Sequence, residues 1–152
     1  MPSGAIYKIN KKGYLLYANR IAISGFSLAS EPFIQIAENN ANANKIADAI
    51  KAVLNNDDSK RIADPKNWGE HSKEFLRKTG LKALRELNAS TTMYCGIVKE
   101  NGSIIFTPTK HAEKPNEGFV NKSKDEPNIV TSVTASDQNI TDALELAFSK
   151  CE

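Results

Sequence analysis

Cysteine is scarce in this chain of 152 residues: Cys95 and Cys151 are the only two. Two thiols make no disulfide framework, so a reducing compartment is expected. Histidine is equally sparse, at His71 and His111. With no clustered His, Cys, Asp or Glu at ligand spacing, no metal site and no cofactor is expected. Long apolar runs are missing, and none approaches the roughly 20 residues of a membrane-spanning helix. The opening Met-Pro-Ser-Gly-Ala-Ile-Tyr-Lys has no signal-peptide core, and Pro2 excludes a myristoylation glycine. A cytoplasmic location with no membrane partner follows as the expectation. Nucleophile-elbow, P-loop and dinucleotide glycine patterns are also missing. Nor is there a dominant charge sign: 20 Lys+Arg face 18 Asp+Glu, a net of +2. That balance does not by itself argue for nucleic-acid binding.

What is present describes one globular domain spanning residues 1–152, with 40% hydrophobic and 25% charged residues. Charge alternates by segment: +4 over residues 1–30, −3 over 31–58, +4 over 60–86 and −3 from Pro127 onward. Such alternation serves solubility, or supplies complementary patches for a partner.

Aromatic and β-branched runs at residues 5–9 and 14–18 flank a short turn ending in Gly13, which predicts a hairpin. Gly25 suggests a bulge or bend, and residues 33–37 a further short strand. Ala43, Ile46, Ala47, Ile50, Val53 and Leu54 fall on one helical face. Residues 70–79 read as a short helix stopped by Gly80, and Leu81, Leu84 and Leu87 as another. Asn101-Gly102 between two apolar runs predicts a two-residue hairpin pairing Val98 with Ile105, central in the sheet. Residues 109–127 read as a long polar loop. A strand at 129–133 and a helix at 139–150 complete the pattern. The expected fold class is α+β: a single domain with an antiparallel or mixed β-sheet packed against amphipathic helices.

No catalytic constellation emerges. Cys95 alternates within an apolar strand and reads as a buried hydrophobe, so the chain is expected not to be an enzyme. Trp68 reads as a core anchor near Phe75 and Leu76. Phe119, a lone aromatic in the charged loop, fits either loop-to-core anchoring or partner contact, with Glu113, Glu117, Lys122 and Lys124 as a charged rim. Asp57 and Asp58, with Glu38, form a candidate acidic patch. Lys73, Arg77, Lys78, Lys82 and Arg85 make a basic helical stripe, whose alternative use would be RNA binding; interspersed Glu70, Glu74 and Glu86 argue for a solvated face and against specific nucleic-acid contact.

Gly13-Tyr14-Leu15-Leu16 in the first hairpin, Trp68-Gly69 and Ser72 before short helices, the strand hairpin with its long loop, Ala135-Ser136-Asp137, and the closing Ala143-Leu144-Glu145-Leu146-Ala147-Phe148-Ser149-Lys150-Cys151 give an order of elements that resembles the contact-dependent growth inhibition immunity proteins, the CdiI family. The resemblance implies a non-enzymatic cytoplasmic protein that binds its cognate toxin C-terminal domain, often a nuclease, and occludes its active site. Family toxin contacts do not transfer by residue, because those surfaces vary between cognate pairs.

Overall fold

In a computed structural model, described for residues 1–55, 60–122 and 127–152, seven strands form an antiparallel sheet flanked by three helices. The strands are β1 (Ser3–Ile9), β2 (Gly13–Ile21), β3 (Ser27–Ala37), β4 (Met93–Glu100), β5 (Ser103–His111), β6 (Phe119–Asn121) and β7 (Ile129–Ser132). The order is β3-β2-β1-β4-β5, with β6 and β7 both pairing with β5. The helices are α1 (Ala43–Leu54), α2 (Trp68–Thr79) and α3 (Asp137–Ser149). The expected strands and the three longer expected helices exist, and the α+β class holds with an antiparallel sheet.

Local chemistry accounts for the boundaries. Asn42, Asn67 and Ser136 cap the three helices, each accepting a backbone N–H three residues on at 2.9–3.1 Å. Asn101 and Gly102 take φ of 50° and 77°, as a two-residue hairpin turn demands. The resulting register pairs Val98 with Ile105 and Ile97 with Phe106, as the sequence predicts. In the edge strand β3, Glu31 and Pro32 drop out of register where Tyr17 pairs with Phe33 and Ala18 with Ser30. A proline has no N–H for the ladder, and an edge bulge tolerates it.

Alternation along the strands gives the sheet two different faces. One packs against α1 and α3: Ile6, Leu16, Ile97, Ile104 and Phe106 meet Ile46, Ile50, Val53, Ile140, Leu144 and Phe148, all buried. A side chain at Gly4 would collide with Val53 and come within 2.6 Å of the Tyr17 carbonyl, so glycine sets how closely α1 approaches. The opposite face holds a smaller cluster of Leu15, Leu81 and Leu87, with Tyr7, Ile9, Phe75 and Leu76 half-buried around it.

Three expectations need correction. The segment 109–127 is not one long loop: β5 runs on to His111, β6 pairs back onto it, and the connection is residues 112–118. Leu81, Leu84 and Leu87 do not make a helix beyond a single 3-10 turn at Leu84–Glu86. There the Glu86 carboxylate takes the backbone N–H groups of Lys82 and Ala83, closing the turn on itself. Trp68 is not a core anchor: it is 50% exposed on the first turn of α2.

Candidate functional site

Cys95 is fully buried on the α1/α3 face, where burial pushes its thiol well above the usual range. A thiol held protonated and enclosed is no nucleophile. His71 and His111 sit against Trp68 and Phe119 respectively, at ring separations of 5.9 and 4.6 Å. Among the described residues no three His, Cys, Asp or Glu side chains gather as a metal site.

The β5–β6 hairpin carries three of the expected contact residues, Glu113, Glu117 and Phe119. Its loop closes through Ala112 N–H donating to the Gly118 carbonyl at 2.9 Å, which leaves Glu113 and Glu117 exposed at the tip. A groove runs from there to Asn88 and Ser90. Phe119 sits at the hairpin base with ample aromatic company. It is half-buried against Tyr94 at 5.5 Å and Tyr7 at 6.0 Å, and the row continues through Tyr17 to Phe33 and Phe75. Burial, with Tyr7 alongside, pushes the Tyr94 phenol up to about 12.

Lys122 does not join the rim. Its ammonium donates to the Lys150 carbonyl at 2.7 Å and pairs with Glu152 at 3.3 Å, tying β6 to the segment after α3. Lys124, Asp57 and Asp58 lie outside the described residues. Glu38 is exposed beside a separate hollow of about 440 Å³, where Tyr14 donates to Glu145 at 2.6 Å and Lys8 pairs with the same carboxylate at 3.3 Å. Burial, then the Glu145 hydrogen bond, raises the Tyr14 phenol.

The basic stripe is largely compensated. Lys73 pairs with Glu70, Arg77 with Glu74 through two hydrogen bonds, and Lys78 with Glu31. Lys78 also lies over the Phe33 ring. Cations so engaged offer few free phosphate contacts.

A patch that sequence reasoning missed lies at the β2–β3 connection. Ile21, Ile23 and Phe26 are 42%, 66% and 63% exposed there, and the Phe26 ring meets Trp68 edge-on at 6.1 Å. A strap formed by residues 60–64 holds this connection. Ile23 and Ile62 each donate a backbone N–H, to the Ile62 and Ile21 carbonyls respectively, and Ser24 donates twice to Asp64 at 2.8 and 3.1 Å. The signal available was Phe26 beside Gly25, an aromatic adjoining a turn and not within a strand.

The match to the CdiI family model, CDI immunity protein, runs over residues 8–151. The chain belongs to the CdiI family of contact-dependent growth inhibition immunity proteins. Among solved structures, a Neisseria meningitidis protein of unknown function matches with a TM-score of 0.68 and 16% identity, covering 100% of this chain and 96% of that one. A chain of the CdiA-CT/CdiI toxin and immunity complex from Yersinia pseudotuberculosis matches with a TM-score of 0.62 and 19% identity, covering 100% and 98%. At such identities the likeness concerns the fold. A search of curated proteins gives no match.

Proposed function

We propose that this protein acts in the cytoplasm by binding, not by turnover, and neutralises a cognate toxin C-terminal domain. On this reading the toxin is a nuclease whose active site is occluded. The observation that carries the proposal is the family match across residues 8–151. The toxin and immunity complex among its structural neighbours and the enclosed state of Cys95 support it.

The β5–β6 hairpin contributes charge more than adhesion. Nuclease clefts are cationic, and Glu113 and Glu117 present carboxylates on a tip braced by two strands. Exposed rim charges govern association rate and partner choice more than affinity. Asp57, Asp58, Glu38 and Lys124 belong to the same proposal as further charged contacts, whereas the bonds of Lys122 give it a structural duty. Phe119 would anchor a toxin only by leaving the aromatic row it packs in.

Calorimetric titration with the cognate toxin C-terminal domain tests the proposal. A nanomolar Kd, or about −12 kcal/mol, is expected. Reversing Glu113 and Glu117 to lysine should slow association at least tenfold at low salt and leave dissociation nearly unchanged. Absence of binding by the wild-type protein sinks the reading.

A further inference from the structure

We propose that the affinity of this protein for its toxin resides in the Ile21–Ile23–Phe26–Trp68 patch, docked on a toxin surface with an apolar centre and an acidic rim. The inference rests on the immunity reading and names the surface that does the holding.

The four side chains leave roughly 400 Å² of apolar surface in water, as large as the biggest patch on a typical monomer. Such a patch matches the desolvated centre of a standard interface of about 800 Å² per partner, and tryptophan is the residue most enriched at such centres. The patch is also held in shape before any partner arrives. Phe26 braces Trp68, Trp68 braces His71, and residues 60–64 strap the turn. Little conformational freedom remains to be lost on docking.

The rim selects the occupant. Arg20 donates to the Lys60 carbonyl at 2.9 Å and Arg61 to the Ile23 carbonyl at 3.2 Å, so both guanidiniums are positioned by neutral acceptors. The Arg20 Nε–H is buried without an acceptor. Among the described residues no carboxylate pairs with Arg20, Lys60, Arg61 or Lys66. Asp64 is engaged by Ser24, and Glu70 and Lys73 offset each other. Glu31 and Glu74, which share a hollow with Arg20, are engaged by Lys78 and Arg77, so among the described residues four cations against Asp64 leave the rim positive. A two-fold dimer through this patch would set those cations against their own copies, which disfavours a second copy as occupant. Single-stranded nucleic acid would use the cations and the rings, but would leave Ile21 and Ile23 without an apolar counterpart. A protein surface with acids around an apolar centre satisfies all of these features. A nuclease's cationic cleft does not, so the anchor seats on a toxin surface other than the cleft; the Glu113 and Glu117 tip lies at the other end and the opposite edge of the sheet and acts by long-range steering.

The test compares wild-type protein, the Phe26→Ala/Trp68→Ala double variant, Ile23→Glu, Lys66→Glu and the control Leu146→Ala by calorimetry and association kinetics with the toxin domain. Melting and sedimentation of each, and a gel shift with single-stranded RNA, complete the set. The double variant should weaken the toxin Kd at least 100-fold and Ile23→Glu at least tenfold, with melting points little changed. Lys66→Glu should slow association chiefly at low salt, and Leu146→Ala should match wild type. Ile23→Glu lies on an exposed turn and decides the matter should the double variant misfold. Wild-type toxin affinity in the patch variants overturns the anchor and leaves the immunity reading intact. A wild-type protein that ignores the toxin overturns both. A dimer, or tight RNA binding, that only the patch variants lose reassigns the surface and overturns the proposal.

Discussion

Glu86 joins three parts of the chain through one carboxylate. It accepts from Lys12 Nζ on the first hairpin turn and from the backbone N–H groups of Lys82 and Ala83. The Lys12 hydrogen bond first, and the backbone donors after it, hold its pKa down at about 2. The stabilisation is therefore complete above the ordinary glutamate range and is lost as pH falls toward 2. With solvent screening at a partly exposed site, it amounts to about 1 kcal/mol, or about 2–4 °C in Tm. Glu86→Gln should melt lower than wild type by that margin at pH 7, and the gap should close between about pH 4.5 and pH 2. A gap independent of pH would mean that the clamp acts through packing and not through charge. The neighbouring misreading of Trp68 is instructive at the same scale. Phe75 lies seven residues beyond it, nearly two turns, so spacing alone puts both on the inward stripe. Phe75 reaches Tyr17 and Phe33, whereas the first turn of α2 meets the β2–β3 connection and finds only Phe26. Periodicity reports a direction around a helix and not what lies beneath its end.

At the level of elements, sequence was most legible where turn chemistry is strict. Asn101-Gly102 determined both the hairpin and its register, because few residue pairs accept two successive positive φ values. The α1 stripe and Gly80 as the stop of α2 were readable for equally local reasons. β6 was not: a three-residue strand, Phe119-Val120-Asn121, owes its existence to the free edge of β5 and has no periodicity of its own. That short pairing changes what Phe119 is expected to do. Phe119→Ala removes a half-buried ring from contact with Tyr7, Tyr94 and His111, and should cost about 1–3 kcal/mol, below the 3–5 typical of a fully buried phenylalanine. Melting should register the loss, while toxin affinity should move less than threefold. The opposite pattern, with Tm unchanged and binding lost, would return Phe119 to the toxin interface. The candidate contact surface was legible in its charges, since Glu113 and Glu117 reached the loop tip, but not in its apolar part. Exposure of Phe26 and Trp68 depends on where a helix ends relative to a sheet, which no local pattern encodes.

Across the whole molecule, the two faces of the sheet are unequally covered. α1 buries six residues and α3 four in the main cluster, whereas α2 fully buries only Thr79 and otherwise rests on half-buried Phe75 and Leu76. Among the described residues, no helix is long and apolar enough to cross a membrane. The unequal cover has a consequence for amide hydrogen exchange. A helix with so little buried surface can detach while the sheet and its other layer stay intact, so α2 should exchange through a sub-global opening well below the free energy of global unfolding. Amides of α1 and α3 should exchange only near the global limit. Trp68 opens α2, so a partner seated on it must also hold that helix down. Binding to the closed form then suppresses the opening by mass action, and slowing of α2 exchange on complex formation, absent from α1 and α3, would report contact with that helix directly.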